Sequence, residues 1–209
     1  MSAATFRLAV LASGAGTNLQ VILDRLHGSD GIEVVGVGSN KTGAGALERA
    51  EAAGVATAVF PAGEHEDREA RDAAIGDWLD GLEIDLVVLA GYMELLSEEF
   101  VGRFENRVVN VHPALLPSFP GLDAIGQALD AGVRITGVTI HFVDAGVDSG
   151  PIIIQRPVPV PADRDRDSLE AAIHATEHAI YPEAIRMIAD GRVRVDGRIV
   201  EIAQDAARP

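Results

Sequence analysis

The chain reads as an α/β protein, with a mostly parallel sheet covered by helices on both faces and a small antiparallel extension at the C-terminal end. Three observations predict this class. Short apolar runs alternate with segments of helical spacing through the first two thirds of the chain. The run DLVVLA at 85–90 is nearly all apolar, as a strand buried on both faces must be. Near the end, VRVDGRIVEI sets two strand-like stretches around an Asp-Gly pair, the strongest short-range hairpin signal.

The elements follow in order. Phe6 to Ala12 is an apolar strand, SGAGTN is a glycine loop, and an amphipathic helix runs from about Asn18 to Leu26. Ile32 to Ser39 is the second strand, and GAGALERAEAAG is a helix stopped by Gly54. Thr57 to Phe60 is a short strand. The charged segment Glu64 to Asp80 has helical spacing at Ala70, Ala74, Ile75, Trp78 and Leu79. After Asp85 to Ala90, GYMELL leads to a short helix near Ser97 to Phe104. Next comes RVVNVHPALLPSFPG, a β-branched strand stopped by Pro113, Pro117 and Pro120. Asp123 to Ala131 is helical, Ile135 to Phe142 a strand, DAGVDSG a loop, and Ile152 to Val160 extended. Ser168 to Ala189 is a long helix before the final hairpin. The 209 residues predict a single domain, with a nucleotide- and phosphate-binding half at 1–105 and a catalytic half at 106–209.

Composition narrows the function. Hydrophobic residues make up 47% of the chain, enough for a large core, and the formal net charge is −15. Lys41 is the only lysine. Such a surface repels nucleic acid, which is bound through basic stripes. There is no cysteine, so disulfides and thiolate metal sites are excluded. No run approaches the roughly 20 apolar residues of a membrane span. The N-terminal apolar run passes into a glycine loop, as a first strand does and a signal peptide does not. A cytoplasmic protein that binds neither membrane nor nucleic acid is expected.

Two stretches carry chemistry. In LAVLASGAGTNLQ, Gly14 and Gly16 let the backbone close around an anion at the start of a helix. Leu19 stands where a dinucleotide fingerprint has its third glycine, and Ser39-Asn40-Lys41 ends the second strand where a ribose-binding acid would stand. A phosphate monoester is therefore favoured over a dinucleotide. Further on, Asn110 and His112 alternate with Val109 and Val111 and share one strand face. An amide and an imidazolium there can donate to a developing oxyanion. Asp144 and Asp148 lie in the later loop, and a carboxylate near the histidine would favour its protonated form. Taken alone, Asp148-Ser149-Gly150 is a turn. Glu177 falls inside the apolar stripe of Ile173, Ile180 and Ala184 and needs a partner there.

ASGAGTNLQ, VVLAGYMELLS, VNVHPALLPSFPG, VTIHFVDAGVDSGPII and TEHAIYP, in this order and spacing, resemble the folate-dependent glycinamide ribonucleotide formyltransferases. The resemblance runs from the first strand to about residue 192 and implies a Rossmann-like formyltransferase fold. It implies that the amine of glycinamide ribonucleotide attacks the formyl carbon of 10-formyltetrahydrofolate, a co-substrate rather than a resident cofactor, in de novo purine synthesis. Asn110 and His112 would stabilise the oxyanion, His112 would relay the proton, and Asp148 would sustain its charge. Gly16, Thr17 and Asn18 would hold the ribonucleotide phosphate. Arg68, Met93, Glu94, Leu95, Leu96, Asn110, Asp144, Ala145, Gly146, Val147 and Asp148 would line the folate pocket. Glu177 would meet ribose hydroxyls, the alternative partner being an arginine. Leu116-Pro117 would be a cis peptide. No metal is implied, and the chain would be a monomer or a homodimer.

Two positions depart from the family pattern: Glu94, which is basic in some members, and Asp123-Ala124-Ile125-Gly126, which lacks a histidine found there in some. Sister readings fit less well. Methionyl-tRNA formyltransferase would need a further RNA-binding domain and a basic face. Formyltetrahydrofolate hydrolase would need a regulatory domain before Phe6. A non-catalytic nucleotide-binding module leaves Asn110, His112 and Asp148 unexplained.

Overall fold

A computed structural model describes residues 5–203. The strands are β1 (Phe6–Leu11), β2 (Ile32–Ser39), β3 (Thr57–Val59), β4 (Leu86–Leu89), β5 (Val108–His112), β6 (Ile135–Phe142), β7 (Ile152–Pro159), β8 (Val193–Asp196) and β9 (Ile199–Ile202). The helices are α1 (Thr17–Leu26), α2 (Gly45–Ala52), α3 (Arg68–Gly81), α4 (Glu98–Arg103), α5 (Ala124–Asp130) and α6 (Arg166–Ala189). The main sheet has the order β3-β2-β1-β4-β5-β6-β7, and β8-β9 is a separate antiparallel pair. The α/β class, the parallel sheet and the antiparallel extension are those the sequence predicts. The helical spacing at Ala70, Ala74, Ile75, Trp78 and Leu79 falls within α3, but one bound is corrected: the helix does not reach back to Glu64. A short 3₁₀ turn covers Ala62–Glu64, and α3 begins only at Arg68, because the Asp67 carboxylate caps it by accepting from the Ala70 amide at 2.8 Å.

By contact density the described residues fall into two units, 5–111 with Val143–Ala145, and His112–Phe142 with 146–203. In the first unit β1 pairs in parallel with β2 and β4, β2 with β3, and β4 with β5. Ala9, Leu11, Val87, Leu89 and Val108 join Ile75 and Leu79 of α3, Phe100 of α4 and Phe104 just after it in one buried cluster. Their alternates Leu8, Val10, Leu86, Val88 and Val109 point the other way and are equally buried. The sheet of this unit is therefore covered on both faces. Trp78 of α3 seats against β2 because Gly36 and Gly38 have no side chain: a Cβ on Gly36 would lie 2.8 Å from its ring.

In the second unit β6 and β7 pair antiparallel, and α6 lies on both of them and on α5. Leu169, Ile173, Ile180, Tyr181, Ala184 and Ile185 form the buried stripe of α6. Pro182 sits inside this helix and removes one i→i−4 hydrogen bond. Burial of Ile180, Tyr181, Ala184 and Ile185 around it holds the helix through that gap.

Leu79→Ala, at a fully buried position of α3, should lower stability by about 2–5 kcal/mol. Denaturant unfolding measures it, with the midpoint falling and the slope unchanged.

Candidate functional site

In the first unit the strand order reverses between β1 and β4, which is where open parallel sheets place ligands, beyond the carboxyl ends of the strands. The loops that follow these two strands are tied together there. The Ser13 amide donates to the Gly91 carbonyl at 3.0 Å, and the Met93 amide donates to Ser13 Oγ at 2.9 Å. Gly16 stands at the start of α1 with φ +74°, a left-handed conformation, and no side chain caps this helix. Gly16 offers no side chain to the first amides of α1, which leaves room for an anion to approach them. A Cβ on Gly16 would lie 2.7 Å from the Ala46 Cα, so the loop is closed against the start of α2. Arg49 braces it from the outside, donating to the Ala15 carbonyl and to Gln20 Oε1, both at 2.8 Å. Thr17 is exposed and Asn18 buried on the first turn of α1.

A cleft of about 480 Å³ in the same unit is lined by Arg68, Met93, Glu94 and Leu95, four of the expected folate residues. His65, Glu66, Asp67 and Arg71 also line it. Met93 and Leu95 are exposed, whereas Leu96 packs against the hydrophobic cluster. Glu94 is held in an ionic network that the sequence does not reveal. Its carboxylate accepts from Asn40 Nδ2 at 3.0 Å and from Arg71 at 3.2 Å. Arg71, buried to 3%, also binds Asp72, whose other oxygen accepts from the Ser97 amide. The Tyr92 phenol is pushed up to about 12 by burial, so it stays neutral beside this network.

Asn110 and His112 end β5 on one face of the strand, as their spacing predicts. In the second unit His112 is buried and its Nδ1 lies 3.2 Å from Asp148 Oδ2. Its Nε2 is 2.8 Å from the Phe119 carbonyl. Both partners are acceptors, and only a doubly protonated imidazole donates to both. Asp148 has φ +50°, accepts from the Gly121 amide at 2.8 Å, and lies 3.7 Å from His141 Nε2. Burial works against its charge. The hydrogen bond from His141, the Gly121 amide and the charge of the two imidazoles outweigh burial and hold the carboxyl below its usual range.

The proline loop after His112 is fixed from below. Leu116-Pro117 is cis, as expected. Thr139 Oγ1, fully buried, donates to the Ala114 carbonyl and accepts from the Leu116 amide and Gln155 Nε2. Its one donor and both acceptor positions are thereby used. Gln155 also donates to the Leu116 carbonyl at 2.8 Å. Asp123, one of the departing positions, caps α5 and pairs with Arg166 at 2.6 Å. Glu177 is buried to 5% on α6, and its carboxylate accepts from His174 Nδ1 at 3.0 Å, a partner not anticipated. Among the described residues no cluster of three His, Asp or Glu could hold a metal, and no helix is long and apolar enough to cross a membrane.

The formyl transferase family matches residues 6–185. The phosphoribosylglycinamide formyltransferase of Haemophilus influenzae is 41% identical over 190 residues, 90% of each chain. The trifunctional purine biosynthetic protein adenosine-3 of Drosophila melanogaster is 44% identical over 196 residues, and the chain spans 14% of its length. The crystal structure of glycinamide ribonucleotide transformylase 1 from Symbiobacterium toebii superposes with a TM-score of 0.91 at 46% identity, covering 96% of this chain and 95% of that one. With sequence matched from the first strand into α6 and the whole fold shared, the chain belongs to the formyl transferase family.

Proposed function

We propose that the chain transfers the formyl group of 10-formyltetrahydrofolate to the amine of glycinamide ribonucleotide, giving N-formylglycinamide ribonucleotide and tetrahydrofolate. The observation that carries this reading is the likeness, over nearly the full length of both partners, to a bacterial enzyme named for the reaction. The geometry supplies parts suited to it.

The neutral amine attacks the formyl carbon, a C–N bond forms, and the carbonyl oxygen becomes an oxyanion. Asn110 and the His112 imidazolium are the donors for that charge. His112 Nε2 is held by the Phe119 carbonyl, so the ring exchanges this partner for the oxyanion when substrate is bound. Collapse breaks the bond to N10 of the folate, which takes up a proton as the former amine loses one, and His112 is the relay. Asp148 remains charged throughout and keeps the imidazolium oriented. The phosphate is assigned to the backbone of Gly16, Thr17 and Asn18, and the ribose to Glu177. The folate is assigned to Arg68, Met93 to Leu96, Asn110 and Asp144 to Asp148, with Glu94 acting through its pairing with Arg71 and Asn40. The substrates are small molecules in this reading, and no resident cofactor is needed.

A two-substrate assay tests the reading: a 10-formyl folate should be deformylated only when glycinamide ribonucleotide is present, and deformylation without it would indicate a hydrolase. Gly16→Val should raise KM for the ribonucleotide steeply while sparing the folate, because a side chain at that φ meets Ala46 and closes the cradle. Equal losses for both substrates would point to misfolding instead.

Removing the imidazole tests the oxyanion. His112→Ala should cost roughly 10² or more in kcat, the scale of one lost oxyanion donor. Asp148→Asn should cost about 10- to 100-fold in kcat. Because its carboxyl is held below the usual carboxylate range, Asp148 stays charged throughout the neutral range. Its own contribution is lost only as pH falls through that lowered value, so the penalty of the variant should not shrink from pH 6 to pH 8, and it grows over that range to the extent that the carboxylate sustains the imidazolium. A variant with near wild-type kcat across this range would mean that the pairing is wrong.

A further inference from the structure

The Glu177 carboxylate lies on the buried face of α6, and its partner one turn earlier is a histidine with a second carboxylate on its far side. His174 Nδ1 is 3.0 Å from Glu177 Oε2, and His174 Nε2 is 3.4 Å from Glu170 Oε1. Glu177 is almost fully buried, whereas the His174 side chain is 45% exposed. A neutral imidazole has one N–H and can donate to only one of these carboxylates, and the imidazolium donates to both. The buried carboxylate gains most from the charged ring, since an uncompensated charge is costly where solvent is excluded.

We propose that His174 is a positioning residue for the ribonucleotide: as an imidazolium bridging Glu170 and Glu177, it holds the buried Glu177 carboxylate in one orientation for a vicinal diol. The inference rests on the assignment of ribose to Glu177. A diol donates two hydrogen bonds, and a carboxylate accepts both only while ionised and held in one rotamer. His174 titrates above its ordinary value, the hydrogen bond to Glu177 outweighing burial, with the Glu177 and Glu170 charges adding to it. The charged bridge is therefore complete at acid and neutral pH and is lost as pH rises through that raised value. Other charged groups lie on α6 and on the elements packed against it, Arg186 of α6 among them. The His178 ring stacks on His174 with centroids 6.3 Å apart. On the elements packed against α6, Arg156 of β7 meets Glu183, Asp123 at the start of α5 meets Arg166, and His141 of β6 meets Asp148. Asp130 closes α5.

The test is steady-state kinetics with glycinamide ribonucleotide and a 10-formyl folate between pH 6 and 9, on the wild-type chain, His174→Ala, His174→Asn, Glu177→Ala and the double Ala variant. His174→Ala should raise KM for the ribonucleotide about tenfold, the scale of a charge-assisted hydrogen bond. Its kcat and folate KM should stay within about twofold of wild type. Dividing each KM by the wild-type value at the same pH cancels ionisation of the substrate. That ratio should be largest at pH 6 and shrink towards pH 9, where the wild-type ring is neutral too. His174→Asn, with an uncharged donor near the Nδ1 position, should match wild type at pH 9 and fall behind at pH 6. The double variant should lose no more than Glu177→Ala alone. If Glu177→Ala leaves the ribonucleotide KM unchanged, the ribose assignment fails and the inference goes with it. If Glu177→Ala raises KM but His174→Ala does not, the role of His174 alone is overturned. A penalty independent of pH, or losses that multiply in the double variant, would overturn it equally.

Discussion

Asp148 has to stay ionised with only 13% of its side chain in solvent, and much of the second unit is arranged around meeting that demand. A carboxylate so placed is tolerated only when donors surround it, because the low local dielectric strengthens every pairing and penalises every gap. The Gly121 amide and His112 share one oxygen, and His141 faces the other. The loop that supplies Gly121 also supplies the Phe119 carbonyl to His112, so one segment grips both members of the pair. That loop in turn is pinned through Thr139 and Gln155 on β6 and β7. The ion pair, the loop and the two strands are thus links in one chain of satisfied polar groups. Loosening Thr139 would reach His112 without touching it.

The sequence was most legible where local rules and tertiary packing agree. β2 and β6 have the bounds that their apolar runs set, since turn residues lie on either side. Asn110 and His112 could be placed on one face because strand alternation is strict. Legibility failed where a side chain is defined by something distant in the chain. Thr139 and His141 alternate with Val138 and Ile140, a pattern that reads as a solvent-facing side, yet all four are buried. Ser13 in the glycine loop gains its meaning only from Met93, 80 residues later. His174 reads as a polar position on the open side of a helix until Glu177 is seen to be buried beside it.

Glu94 shows how a departure from a family pattern can be absorbed. An acid at a position that is basic in some members would, left alone, be an isolated negative charge at the wall of the cleft. Arg71 and Asn40 occupy it from behind, and Arg71 is itself steadied by Asp72. The charge at the wall of the cleft is thereby moved from the loop onto α3. Arg68 is the exposed arginine of the cleft, with half its side chain in solvent and paired with the similarly exposed Glu69.

The strand order also has a consequence for behaviour in concentrated solution. The outermost strands of the main sheet present rows of backbone amides and carbonyls that a foreign strand could copy. At one margin β3 is three residues long, too short to template much pairing. At the other, β7 carries Pro157 and Pro159, which have no amide to offer, and an exposed Arg156 beside them. Parallel sheets bring together distant segments and so form slowly, leaving such margins open to collision while the chain is incomplete. Blunted at both ends, this sheet closes off the lateral growth that its long apolar strands would otherwise invite.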